Sequence, residues 1–233
     1  MRRHVILFCL LMASSVAAVA QPAAAVAAQP SAQLAALFAQ SDADAIRRNP
    51  LNALYRGDTS RADQLGEFLT DAYYAAEKRA AEAELKALAA IDRAALTPDE
   101  QVSYDVFKWT RETDLAGLQP ALLAATAPRP IDHFFGFHTF LAELQSGESV
   151  APFASIKDYE DGLKRHEQFA LLLDLAVLRF RQGMNTGVVQ PRLVVRNMID
   201  QLGSLTAGSV EDSLMMKPVH KFPAGIGADD QAR

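Results

Sequence analysis

Apolar residues recur along most of this chain at intervals of three and four, the spacing that lines one face of an α-helix. Leu34, Leu37 and Phe38 carry the pattern through a first predicted helix. It opens at Ser31 and ends by Asn49, because Pro50 disfavours helical backbone at the residue before it. Leu51 to Asp58 reads as a loop or short turn. Leu65, Phe68, Leu69, Ala72, Tyr73 and Ala76 then mark one face of a long helix predicted from Ser60 to Ile91. Thr97-Pro98-Asp99-Glu100 is the sharpest local signal: a hydroxyl to cap free amides, a proline suited to the first helical position, and a glutamate that completes a capping box. The helix it opens runs through Val102, Val106, Trp109 and Leu115 toward Gly117, with Trp109 expected in the core. Pro120, Pro128 and Pro130 predict loop, and Ile131 to Leu144 reads as helical but interrupted at Gly136. Ser155-Ile156-Lys157-Asp158 is a second cap, opening a long helix that ends between Gly183 and Gly187. Pro191 begins another helix, expected to bury Val194, Val195, Met198, Ile199 and Leu202. No strand pattern and no internal repeat interrupts this series, so the predicted fold is all-α, a multi-helix array.

The N-terminus departs from that pattern. Arg2, Arg3 and His4 precede an almost wholly apolar run from Val5 to Val19, and Ala18-Val19-Ala20 is a small-x-small cleavage site. These are the three parts of a secretory signal peptide, and the run is short for a membrane span. Residues 1–20 are therefore read as a signal peptide, 21–30 (Gln-Pro-Ala-Ala-Ala-Val-Ala-Ala-Gln-Pro) as a flexible leader, and 31–233 as the helical unit. Cleavage is expected after Ala20 or Ala28, giving a periplasmic or secreted protein with no stable membrane insertion. Loss of Arg2 and Arg3 takes the net charge from −5 to −7. No Lys/Arg cluster stands out, which argues against a nucleic-acid partner. Cys9, the only cysteine, lies in the signal peptide, so the mature protein is expected to hold no disulfide, thiolate nucleophile or cysteine metal ligand.

The histidines are the remaining candidates for chemistry. His133 and His138 stand five apart in His-Phe-Phe-Gly-Phe-His. Zinc ligands four apart share a helical face, whereas five residues turn the second about 140° from the first. The expected arrangement is a bend packed by Phe134, Phe135, Phe137 and Phe140, with the histidines as polar edges and His138 able to meet a ligand. His166-Glu167 starts like His-Glu-x-x-His, but Ala170 occupies the fifth position, so a solvated helix face is predicted. Asp158, Glu160 and Asp161 suit a helix start electrostatically. No serine nucleophile elbow, phosphate loop or dinucleotide fingerprint is present. No catalytic, cofactor-binding or metal-ligating residue is assigned. The last residues, Ala224 to Arg233, read as a turn feeding a new helix, and the chain as truncated.

Six segments in order resemble a large bacterial family, domain of unknown function 885. They are Pro50-Leu51 through Gly57-Asp58, Ser103-Tyr104-Asp105-Val106-Phe107-Lys108-Trp109, Gly136-Phe137-His138, Pro152-Phe153, Asp158-Tyr159-Glu160-Asp161-Gly162-Leu163 and Gly187-Val188-Val189-Gln190-Pro191-Arg192. The resemblance runs from Leu34 to the C-terminus. It implies the N-terminal helical part of a longer, zinc-peptidase-like hydrolase acting on peptides. In full-length relatives a C-terminal His-Glu-x-x-x-Gly-His helix is expected to hold zinc. No position here matches that motif, so no zinc ligand is carried over and inactivity of this chain alone is expected. Only Gly136, Phe137 and His138 carry over, as a cleft wall. A free-standing helical ligand- or partner-binding module is the other reading.

Overall fold

In the computed structural model, which describes residues 29–232, ten α-helices and three 3-10 turns follow one another with no strand among the described residues. The chain is all-α, as its periodicity predicts. The predicted signal peptide and residues 21–28 of the predicted leader lie outside the described residues. No helix among the described residues is long and apolar enough to cross a membrane.

Helices α1 (Pro30–Arg48), α3 (Asp71–Ala89) and α4 (Pro98–Gly117) enclose one apolar cluster, built on Leu34, Leu88, Ile91 and Leu96 with Phe38, Tyr104 and Phe107 against it. The capping box at Thr97 forms as its residues dictate: the Glu100 carboxylate accepts from the Thr97 amide at 2.9 Å, and Thr97 Oγ1 accepts from the Glu100 amide. The Thr97 amide foremost, and then the Thr97 hydroxyl, which donates to the same carboxylate at 2.9 Å, hold the Glu100 carboxyl below the usual range. Ser31 Oγ donates to the same carboxylate at 3.0 Å, which ties the start of α1 to the start of α4. A cap of this kind contributes about 1 kcal/mol.

The second, larger cluster gathers α2 (Leu51–Tyr55), α6 (Phe137–Leu144), α7 (Ile156–Thr186) and α8 (Arg192–Leu205) around Leu54, Leu65, Leu69, Phe137, Leu141, Leu144, Leu172 and Met198. Ser155 caps α7, with Asp158 closing the box. Gly187, at φ 80°, ends α7 in the left-handed conformation that glycine adopts without penalty.

The single helix predicted from Ser60 to Ile91 does not form. Thr59–Arg61 is a 3-10 turn capped by Asp58, the chain runs irregularly to Thr70, and Thr70 then caps α3 by accepting from the Tyr73 amide at 3.0 Å. Leu65 and Leu69 are buried, as their apolar character requires, but from a loop. A buried loop must find partners for its backbone, and α7 supplies them. Arg165 donates to Ala62 O. Gln168 bridges Asp63 O and the Leu65 amide, at 2.6 and 2.9 Å. Arg179 donates twice to Leu69 O, at 2.9 and 2.7 Å, and once to the Asp71 carboxylate at 2.6 Å.

Four smaller expectations are also corrected. Leu51–Tyr55 is helical, not loop. Pro120 opens a helix, α5 (Pro120–Thr126), because proline at the first helical position removes only an amide that has no partner there. Trp109 is not core: it is 67% exposed, on a face with Val102 and Val106, while α4 buries toward α1 through Tyr104 and Phe107. On α8, Met198 is buried and Val194 packs on the core, whereas Val195 and Ile199 are exposed. The turn and new helix predicted over Ala224 to Arg233 appear as a turn leading into α10 (Ala228–Gln231), and a short helix outside that prediction, α9 (Lys217–His220), precedes them.

Candidate functional site: the cleft beside His138

Asp132 builds the turn that precedes α6. Its carboxylate accepts from the Phe134 and Phe135 amides at 2.7 and 2.8 Å, and these two bonds hold it below the usual carboxylate range. The Asp132 amide donates back to Phe135 O at 2.9 Å. This tight turn throws Phe134 and Phe135 outward, where both are exposed, and brings the chain to Gly136. The expected bend is therefore inverted. Two of its phenylalanines face solvent, while His133 is partly buried and His138 is buried.

Gly136 caps α6, and its lack of a side chain is a matter of space. A Cβ there would fall within 3.0 Å of the His138 ring and of Ile131 Cβ. Phe137 turns into the core, edge-on to Phe68 and Phe169 with ring centroids 5.9 and 6.0 Å away. His138 turns the other way and lines a cleft of about 470 Å³. Of the three residues carried over as a cleft wall, His138 lines the cleft, Gly136 makes room for its ring, and Phe137 anchors α6 from behind.

The cleft lies between α6, α7, α8 and the segment from Ser204 to Met215. Ala142, Phe169, Leu173, Leu202 and Leu205 make it largely apolar. Ser209 and Asp212 stand on its wall, bonded to each other at 3.0 Å. His138 Nε2 lies 3.0 Å from Gln201 Oε1. A carboxamide oxygen only accepts, so Nε2 carries the proton and Nδ1 the lone pair. That Nδ1 is buried against Gly136 without a partner.

This geometry does not suit zinc. His138 Nε2 is engaged as a donor, Nδ1 has no room beside Gly136, and the His133 ring packs on Phe134 at 4.0 Å. Among the described residues no three histidine, aspartate or glutamate side chains come together as a ligand set. Nor is His138 paired with a nucleophile. What the cleft offers is an apolar trough with a few polar groups along its walls, a common form of ligand site.

Behind α6 lies a polar cluster that sequence reasoning missed. Gln145 and Arg165 are both completely buried. Arg165 Nε donates to Gln145 Oε1 at 2.7 Å, and the Arg165 guanidinium lies over the Phe153 ring, 5.8 Å from its centroid. Burial pushes this guanidinium below its usual range, and its Nη2 has no partner. Gln145 Nε2 donates to Gly162 O at 2.8 Å and reaches His166 Nδ1 at 2.8 Å. His166 is thus half-buried and bonded, not a group on a solvated face. Asp161 is also buried, paired with Lys157, so the acidic run at the start of α7 does more than balance the helix dipole.

No curated protein and no solved structure matches the chain. A family model does match, over residues 50–233, the span that holds α2 to α10 and the cleft. The chain belongs to that family, the bacterial proteins of unknown function known as DUF885.

Proposed function

We propose that this chain is the exported, substrate-facing helical part of a zinc-peptidase-like hydrolase, with the His138 cleft forming part of the wall that meets peptide. The cleft supports this reading: His138, from the segment Gly136-Phe137-His138 shared with the family by resemblance, lines a largely apolar cleft of about 470 Å³. The hydrolytic chemistry is assigned elsewhere. The 233 residues contain no His-Glu-x-x-x-Gly-His segment, and His133 and His138 do not fit a metal. The chain by itself binds without cleaving. Export rests on the signal-peptide pattern of residues 1–20, and the mature N-terminus is expected at Gln21 or Gln29.

The test is to incubate the purified chain with zinc and a mixed peptide library, following new amino termini and peptide binding together. Binding that His138→Ala weakens, with no new termini, is the expected result. Zinc-dependent cleavage by this chain alone, or binding indifferent to His138, defeats the proposal.

A second reading, a free-standing periplasmic binding module, draws on the same cleft, whose walls all come from residues 138–215. Reading the locus past the codon for Arg233, in all three frames, separates the two. A zinc-binding helix encoded there supports the hydrolase. Cooperative folding of the short chain, with nothing similar downstream, supports the module.

A further inference from the structure

The long helix α7 buries Leu172, Ala176, Arg179 and Gly183 along one stripe, at intervals of four, three and four. Its opposite side is open. Leu171, Val177, Leu178 and Met184 stand there between 46% and 66% exposed, spread along the second half of the helix. Exposed apolar residues scattered singly are ordinary on a protein surface, but four on one helix face mark an interaction surface.

Two charges sit among them. Asp174 and Arg181 are exposed, and neither has a partner among the described residues. They lie seven residues apart, with Val177 and Leu178 midway between them. Seven residues are nearly two turns, so both charges share the face, and at about 1.5 Å of rise per residue each stands about 5 Å from the midpoint. A two-fold axis through that midpoint, perpendicular to α7, lays a second α7 antiparallel across the first. Asp174 then comes level with the partner's Arg181, and Arg181 with the partner's Asp174. Val177 meets the partner's Leu178 beside the axis, and Leu171 comes level with the partner's Met184. The face is thus complementary to itself in charge and in apolar character, the condition that a two-fold interface imposes. An axis through Asp174 would instead set that carboxylate against its own copy, which disfavours the alternative register.

We propose that two copies of this chain associate through the second half of α7, antiparallel, with Asp174 of each paired to the partner's Arg181 around an apolar centre of Val177 and Leu178. The interface does not depend on the hydrolase reading. The His138 cleft takes Phe169 and Leu173 from α7 and none of the residues of this face.

The experiment follows the full chain by sedimentation velocity over a dilution series. The wild type should pass from dimer to monomer as it is diluted. Asp174→Arg sets arginines of the two copies against each other, and Arg181→Asp does the same with carboxylates. Each alone should weaken self-association roughly tenfold or more. Both side chains are exposed and unpaired, so melting of the monomer should be unchanged in either variant. An equimolar mixture of the two variants should restore the dimer, because each cross-pair again joins opposite charges. Both reversals in one chain should restore it too, and Leu178→Lys should leave the chain monomeric. A wild type that stays monomeric at every concentration, as it would if a different protein covers this face, overturns the proposal. So does a dimer indifferent to the reversals, or a mixture that associates no more tightly than its components.

Discussion

Arg165 Nε donates to Gln145 Oε1 at 2.7 Å, and neither side chain has any surface exposed to water. The pair is the hinge of the larger core: through Arg165 it holds the backbone of the loop at Ala62, and through Gln145 it holds Gly162 and His166 on α7. Gln145→Leu keeps the volume but leaves Arg165 Nε without its acceptor, the guanidinium keeping its bond to Ala62 O. It should destabilise the protein by about 1.5–3 kcal/mol, the cost of losing a buried hydrogen bond to a charged group. Adding Arg165→Met should cost much less than its effect alone, because the donor left without its acceptor is then gone. A double-mutant cycle by urea denaturation measures the coupling, and additive effects would show that the two residues act separately.

Those bonds explain what was legible in the sequence. Thr97 with Glu100, and Ser155 with Asp158, act within one helical turn, so the starts of α4 and α7 are readable from four residues each. The loop from Ala62 to Thr70 is held by Arg165, Gln168 and Arg179, more than 100 residues away in sequence. Its apolar spacing imitates a helix, and nothing local says otherwise except Gly66, at φ 93°. Within the site, Gly136-Phe137-His138 is recognisable as a unit. Which of its side chains turns inward is set by Phe68, Phe169 and Gln201, all distant in sequence.

His166 makes stability depend on pH. Its ring is held below the ordinary value of 6.5, chiefly by burial. Below pH 6.5 the unfolded chain therefore binds a proton that the folded chain resists. Stability is complete above that pH and falls as pH drops through the window beneath it. Carboxylates held low by hydrogen bonds, such as Glu100 and Asp132, act further down. Between pH 7.5 and 5 the melting temperature of the wild type should fall more steeply than that of His166→Phe. Parallel curves would remove the effect.

Gly183 sits where α7 meets the returning chain. A Cβ there would fall within 3.0 Å of Val188 O and press on Pro128. The first obstacle is backbone, which cannot rotate away. Gly183→Ala should therefore destabilise by about 1–3 kcal/mol, although alanine normally stabilises a helix interior. Gly203→Ala on α8 is the control, since its Cβ would meet nothing within 4 Å, and it should be neutral or stabilising. Equal effects of the two changes in thermal denaturation would show that space at Gly183 is not limiting.

Trp109 gives a direct optical readout of α4, because it is the one tryptophan in the chain. It is 67% exposed and continues a stripe with Val102 and Val106, at intervals of four and three, on the face turned away from α1. Its emission should be that of an indole in water, open to acrylamide and little changed by unfolding. Trp109→Gln should alter stability by less than about 0.5 kcal/mol, since it lies outside the packed core. The stripe is narrow, and a face covered in solution by a second copy would give the opposite: blue-shifted, protected emission that reverts on dilution. The dilution series distinguishes an exposed residue from a covered one, because burial within the chain does not depend on concentration while burial by association does.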